Sequence, residues 1–263
     1  MPDPIFERDG RRVVATGRAR GPWDRNHCHG GAPAALLAAL VDALPTAVPM
    51  QSVRLTYDLL RPVPLGPLAV GTRVVRDGRR VQVAEAWLTD TDGVELVRCR
   101  TLRMRVGEVA LPGDVVVDTA PPTVGPEELP RLGGRDDWEA EGFWQAVDVR
   151  MVDGVLGEPG PGTAWFRVLT PLLDGVTLTP SARAAAAADF GNGIGSPLPM
   201  GPYRYVNPDL SVHLHRPPEG DWVGLAAGSV VQATGNGLTT STLFDLGGRI
   251  GLAAQSLYVD AGA

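Results

Sequence analysis

The sequence predicts an α+β fold made of two similar halves, each placing one helix against a curved antiparallel sheet. Two observations lead to this prediction: an internal repeat at a fixed offset, and one alanine-rich helical segment in each half. The chain has 263 residues, of which 44% are hydrophobic, so it can bury a large core.

The internal repeat aligns without a gap. The stretch that begins at Leu55 matches the stretch that begins at Leu210, an offset of 155 residues, and Asp90 matches Asp245 at the same offset. Such regular similarity indicates duplication of one supersecondary unit. Because two repeats are too few for a solenoid, we expect two like domains that face each other.

Two segments have the pattern of a buried helix. GGAPAALLAALVDAL, from Gly30 to Leu44, has apolar residues at helical spacing and ends before a proline. TPSARAAAAADF begins at the N-cap candidate Thr179, with Pro180 in the first helical position. Small residues let a helix approach a sheet closely, and the glycines after the second segment are expected to end it by adopting positive φ.

The remaining patterned segments alternate apolar and polar residues between Asp-Gly turns, which predicts antiparallel strands. They are SVRLTYDLL, LAVGTRVVRDG, RRVQVAEAWLTDTDG and VELVRCRTLRMRV in the first half, and FWQAVDVRMV, GTAWFRVLTPL and four repeat strands in the second. One helix wrapped by a curled sheet is the outline of a hotdog domain. We therefore predict a tandem (double) hotdog with two long helices: domain 1–106, linker 107–138 and domain 139–263.

Composition excludes several function classes. The net charge of −6, with arginine as the basic residue and no lysine, argues against a nucleic-acid partner. The start lacks a signal-peptide pattern and no apolar run could cross a bilayer, so we predict a cytoplasmic protein without membrane insertion. No Cys or His spacing fits a metal site; His213 and His215 lack a third ligand, and His27, Cys28 and His29 receive the same interpretation. We expect neither metal nor cofactor.

The segment AAAAADFGNGIG, residues 184–195, has two interpretations. Glycines at every second position resemble a phosphate-binding loop, but such a loop follows a strand and opens a helix. Here the glycines follow a helix and no GK[ST] comes after them. Close packing explains the alanines and glycines, which leaves Asp189 as the residue that packing does not require.

The chain contains several motifs in a fixed order: HGGAPAALL, AAAADFGNGIG, NPDLSVHLHRPPEGDWVGL and LGGRIGLAAQSLYV. Together they resemble the acyl-CoA thioesterase II family of double-hotdog proteins across nearly the whole chain. HGGAPAALL is similar to the start of its N-terminal helix, and AAAADFGNGIG to the helix that carries its catalytic aspartate. NPDLSVHLHRPPEGDWVGL resembles the strand with its D-x-S and HRP signature, and LGGRIGLAAQSLYV its last strand with a glutamine.

The resemblance implies hydrolysis of acyl-CoA by a water held between an Asp, a Gln and a Thr or Ser. The aspartate falls on Asp189 and the glutamine on Gln255, whereas the hydroxyl position holds Asn207, which can bond only through its amide. Gly30 and Gly31 are candidates for substrate binding at the helix start, and an alternative role for His27, Cys28 and His29 is to line the acyl entrance. Both a monomer and a homo-oligomer stay open, with acyl-CoA as the expected partner.

Physical reasoning predicts that partial burial raises the pKa of the Asp189 carboxyl and lets it act as a general base. The alternatives are a capping acid for Asp189, a surface strand residue for Gln255 and an Asn-Pro turn for Asn207. Two other functions stay open: a non-catalytic acyl-CoA or acyl-carrier binding protein, and a hotdog hydratase or dehydratase. A hydratase usually pairs an Asp with a His on the same segment, and no His follows Asp189 there.

Overall fold

The computed structural model describes residues 3–113, 115, 124–132 and 142–261, in which thirteen antiparallel strands form one continuous sheet. The first half contains β1 (Phe6–Asp9), β2 (Arg12–Ala15), α1 (Gly31–Asp42), β3 (Met50–Leu59), β4 (Gly66–Arg76), β5 (Val81–Thr89) and β6 (Glu95–Arg105). The second half contains α2 (Phe143–Ala146), β7 (Val147–Asp153), β8 (Gly162–Val168), α3 (Pro180–Ala188), α4 (Gly191–Ile194), β9 (Tyr203–Val206), β10 (Asp209–Leu214), β11 (Val223–Val231), β12 (Asn236–Asp245) and β13 (Gly248–Ala261).

The two halves join where β3 pairs with β10 in the middle of the sheet. The strand order is β1-β2-β4-β5-β6-β3-β10-β13-β12-β11-β8-β7, and β9 pairs with β13 outside this path. Arg54 lies opposite His213, and their repeat equivalents, Asp209 and Asp58, also lie opposite each other. The repeat therefore produces a local two-fold relation between the halves, with its axis at the β3–β10 pair.

Helix α1 is buried on every side, as expected of a helix without a polar face. Ala34, Leu36 and Leu37 are at most 1% exposed, and the Tyr57 hydroxyl donates to the Ala34 carbonyl at 3.0 Å. Helix α3 lies beside α1 and runs antiparallel to it. Gly31 packs against the Ala186 carbonyl, which shows that the start of α1 meets the end of α3.

The helices differ from the prediction in two respects. α1 and α3 have 12 and 9 residues, so the expectation of two long helices is not confirmed. The FWQA segment, predicted as strand, forms the short helix α2, and strand β7 begins at Val147. Thr179 caps α3 as predicted, since its side chain accepts from the Ala182 N–H.

The glycines after α3 do not take positive φ, contrary to the prediction. Gly191 and Gly193 lie in helix α4, and Gly195 has a φ of −117°. Gly191 and Gly195 instead allow close packing of α4, whereas a Cβ on Gly193 would meet nothing within 4 Å. A Cβ on Gly195 would lie 2.7 Å from the Ala227 carbonyl, so a side chain there would push α4 away from β11.

Part of the segment between the halves packs on the strands of the second half. The Trp165 indole donates to the Val124 carbonyl at 3.0 Å, and the Leu132 N–H donates to the Val149 carbonyl at 2.7 Å. The Trp222 ring lies against the guanidinium groups of Arg150 and Arg167.

In the part of the chain that the structure describes, no helix is long and apolar enough to span a membrane.

Candidate active site

Asp189 lies at the point where the end of α3 meets the start of α1. Its side chain is 5% exposed, and its carboxylate faces the N-terminus of α1. A Cβ on Gly30 would lie 2.8 Å from Asp189 Oδ2, so only glycine lets the two helix ends come this close. The positive end of the α1 dipole stabilises a negative charge at this position.

His29 is the main polar partner of the Asp189 carboxylate. Its Nδ1 is 3.0 Å from Asp189 Oδ2 and also 3.0 Å from the Gly31 nitrogen. A single ring nitrogen cannot donate to one group and accept from the other in the same state. Because a lone pair facing a carboxylate would repel it, we assign a proton to Nδ1, which then donates to Asp189.

The Asn207 amide holds the other side of the carboxylate. Asn207 Nδ2 donates to Asp189 Oδ1 at 2.9 Å and to the Asp209 carbonyl at 3.4 Å. Asn207 Oδ1 in turn accepts from Asn192 Nδ2 at 3.4 Å. Asn207 is therefore a direct partner of the aspartate, and Asn192 orients the Asn207 amide.

Gln255 contacts the backbone around Asp189 instead of its carboxylate. The Gln255 side chain is 1% exposed; its Oε1 accepts from the Asn192 N–H at 3.2 Å, and its Nε2 donates to the Asp189 carbonyl at 3.4 Å. A Cβ on Gly191 would lie 2.8 Å from Gln255 Oε1. Gln255 thus fixes the turn between α3 and α4.

The pKa of Asp189 is lowered, which corrects the predicted increase. Burial is the largest influence and on its own raises the pKa of this carboxyl. The hydrogen bond and electrostatic attraction of His29, then the Asn207 amide and the Gly31 N–H, favour the ionised form and outweigh burial. Asp189 is therefore a carboxylate at neutral pH.

A cavity of about 200 Å³ opens next to Asp189. Its lining includes His29, Asp189 and Asn192, but neither Asn207 nor Gln255, and neither Gly30 nor Gly31. Its remaining walls are Arg20, Gly21, Pro22, Trp23, Asp24, Arg25, Gly142, Trp144, Gln145, Leu156, Phe190, Gly193, Ile194 and Met200. A bound molecule would thus reach the carboxylate from the side of His29 and Asn192.

The opposite ends of the two helices carry a second acid, Asp42, and both of its carboxylate oxygens accept hydrogen bonds. Asp42, at the end of α1, accepts hydrogen bonds from Thr179 (2.7 Å) and Ser181 at the start of α3, and from Ser52 (2.6 Å). Asp42 thus stands at the end of α1 as Asp189 stands at the end of α3, so the two acids are counterparts in the two-fold relation of the helices. Three hydroxyl groups donate hydrogen bonds to its carboxylate, so Asp42 has a structural role at the helix ends.

Sequence reasoning missed the contact of His29 with Asp189 and the place of Asn192 in the site. It considered His29 as a potential metal ligand or as part of the acyl entrance, whereas its contact with Asp189 depends on how the halves meet. Asn192 lies three residues after Asp189, a spacing that places two side chains on the same helical face, so its position was readable. His213 and His215 are exposed, and the described residues contain no group of three potential ligands.

Solved structures share this fold along almost the whole chain. A hot dog fold protein of unknown function from Alicyclobacillus acidocaldarius is 18% identical, with 98% of this chain and 96% of that chain covered and a TM-score of 0.72. The tesB protein of Mycobacterium avium subspecies paratuberculosis is 20% identical (97% and 96% covered, TM-score 0.65). The acyl-CoA thioesterase II TesB2 of Mycobacterium marinum is 18% identical (98% and 96% covered, TM-score 0.62).

Family models match both halves of the chain. The acyl-CoA thioesterase N-terminal domain matches residues 19–104, and the acyl-CoA thioesterase C-terminal domain matches residues 126–259. No curated protein sequence matches this chain significantly. The two domain matches, in the order that the internal repeat requires, show that the chain belongs to the acyl-CoA thioesterase family.

Proposed function

We propose that this protein hydrolyses an acyl-CoA thioester to a free acid and CoA, with Asp189 as the general base toward a water molecule. The observation that carries the proposal is the buried, ionised carboxylate of Asp189 on the wall of a cavity. The local two-fold relation supports a double hotdog, with residues 1–106 and 139–263 as its domains.

In the proposed reaction, a water proton passes to Asp189 while the water oxygen bonds to the thioester carbonyl carbon. The C–S bond then breaks, the CoA thiolate takes up the proton, and the acid is released. A lowered pKa makes Asp189 a weaker base but keeps it ionised. Because a thioester is an activated carbonyl, orientation and polarisation at this site supply much of the remaining acceleration.

The neighbours of Asp189 have distinct proposed roles. Asn207 holds the carboxylate through its amide, and Gln255 holds the turn that carries it, so both act on the reaction through Asp189. Gly30 and Gly31 contribute to substrate binding indirectly, since they bring the α1 N-terminus to the carboxylate. Asn192 lines the cavity, so its side-chain amide can contact the substrate directly.

The test is thiol release from a panel of acyl-CoAs by the wild type and by Asp189→Asn. This substitution keeps the size of the side chain but removes the base, so kcat/KM should fall by about 10²- to 10⁴-fold. Asp42→Asn is the matched control, because it changes the equivalent acid at the opposite helix ends, where three hydroxyl groups already bond to the carboxylate. Equal activity of Asp189→Asn and wild type contradicts the proposal, and acyl-CoA binding without any turnover supports a binding protein instead.

The contact between His29 and Asp189 favours a second candidate function, a hydratase or dehydratase. An Asp–His pair is present, although His29 comes from the first half of the chain and not from the segment that carries Asp189. Incubation with a 2-enoyl-CoA separates the two functions: a hydratase consumes the conjugated double bond without releasing thiol. Thiol release from saturated acyl-CoAs, with no loss of the enoyl absorbance, assigns the site to hydrolysis.

A further inference from the structure

We infer that the site accepts compact acyl groups, of about the size of a single aromatic ring, and excludes long fatty acyl chains from productive binding. The inference rests on the proposed function, and it concerns the shape of the cavity beyond Asp189.

The cavity is lined by exposed residues at one end and by buried residues at the other. Trp23, Asp24 and Arg25 line it and are exposed, with Trp23 51% exposed. Asp189 and Phe190 line it and are 5% and 4% exposed. A thioester that enters between the exposed residues would therefore bring its carbonyl to Asp189 at the deep end, with little depth left for the acyl group.

An aromatic cluster closes the deep end. The Phe190 ring centroid lies 4.5 Å from that of His29 and 4.8 Å from that of Phe166. Trp144 approaches Phe190 edge-on at 5.7 Å, and Phe143 stacks on it at 5.9 Å. These are the preferred arrangements of packed aromatic rings, so displacing Phe190 to admit a chain would break several favourable contacts at once.

The volume sets the size of the acyl group. An apolar cavity of about 150 Å³ is known to hold a benzene molecule, and one water occupies about 30 Å³ of liquid. A cavity of about 200 Å³ therefore has room for one ring and the thioester carbonyl. A palmitoyl chain is far larger than this space, whereas the faces and edges of Trp144 and Phe190 complement an aromatic ring.

The test compares benzoyl-CoA, isobutyryl-CoA, octanoyl-CoA and palmitoyl-CoA by thiol release. We expect kcat/KM for benzoyl-CoA to exceed that for palmitoyl-CoA at least about tenfold. Equal or higher efficiency with palmitoyl-CoA overturns the inference and leaves the proposed hydrolysis intact. Absence of hydrolysis with every substrate overturns the proposed function; calorimetric binding of benzoyl-CoA and palmitoyl-CoA then decides the inference, which equal affinities overturn.

Trp144→Ala tests whether the wall sets the preference. It enlarges the cavity and should shift the ratio of octanoyl-CoA to benzoyl-CoA efficiency at least about fivefold toward the longer chain. Trp87→Ala is the matched control, because Trp87 packs against Arg73 and Arg98 and does not line the cavity. Should Trp144→Ala unfold, Met200→Ala enlarges another part of the same wall. An unchanged ratio in a folded wall variant contradicts the inference.

Discussion

Replacing Gly30 by alanine tests how the end of α3 meets the start of α1. Gly30 has helical dihedral angles (φ −58°, ψ −30°), so alanine is compatible with the backbone. The new Cβ, however, would lie 2.8 Å from Asp189 Oδ2 and 3.0 Å from Oδ1. We therefore expect the substitution to displace the carboxylate while leaving the helix intact.

The magnitude follows from the contact distance. An ordinary contact of a Cβ begins at 3.4 Å, so the carboxylate must move by about 0.6 Å, the difference between 3.4 and 2.8 Å. A displacement of 1 Å at a reacting group can cost about 10²-fold in rate. Gly30→Ala is therefore expected to lower kcat/KM by on the order of tenfold.

A double-mutant cycle separates the clash from the effect on the backbone. In the Asp189→Ala background the clash is absent, so Gly30→Ala should raise the free energy of unfolding by about 0.4–1 kcal/mol in urea denaturation. In the wild-type background this gain should be reduced or reversed. Full activity of Gly30→Ala, or the same stability change in both backgrounds, would refute the reasoning.

Three further predictions concern the same site. Gly191→Ala should lower kcat/KM about tenfold, because its Cβ would lie 2.8 Å from Gln255 Oε1, whereas Gly193→Ala, whose Cβ meets nothing within 4 Å, should change it little. His29→Ala should lower the free energy of unfolding by about 1–3 kcal/mol by removing the partner of a buried carboxylate; full restoration by His29→Phe would show that packing alone matters. Because the folded-state pKa of Asp189 is depressed, its contribution to stability is present above the unfolded value of about 3.9 and is lost as pH falls through the folded value. The stability difference between wild type and Asp189→Asn should therefore shrink as pH falls below about 4, and a pH-independent difference contradicts this assignment.

The sequence predicted the elements that depend on local pattern and on the repeat. Thr179 and Pro180 marked the start of α3, and the segment from Gly30 to Leu44 contained α1. The hotdog fold followed from the order of helices and strands. Sequence reasoning also singled out Asp189, because packing explained each of its small neighbours and left the acid without a structural reason.

The features that the sequence could not supply depend on contacts between the halves. His29 is 160 positions from Asp189 in the chain, and only the antiparallel packing of α1 on α3 brings them together. The predicted direction of the Asp189 pKa shift was wrong for a related reason: burial alone raises the pKa, but His29 and Gly31 from the first half, together with Asn207, lower it. The hydroxyl groups that bond to Asp42 likewise come from both halves of the chain, so the sequence pattern did not show that its carboxylate is fully hydrogen-bonded.

In the proposed mechanism, Asp189 activates a water instead of attacking the thioester itself. A single turnover in isotopically labelled water, with enzyme in excess over benzoyl-CoA, measures this directly by mass spectrometry of the acid and of the peptide that contains Asp189. General-base catalysis by Asp189 predicts label in the released acid and none in the peptide. Label in the Asp189 carboxylate after one turnover, with unlabelled acid, would mean a covalent acyl-enzyme and would contradict it.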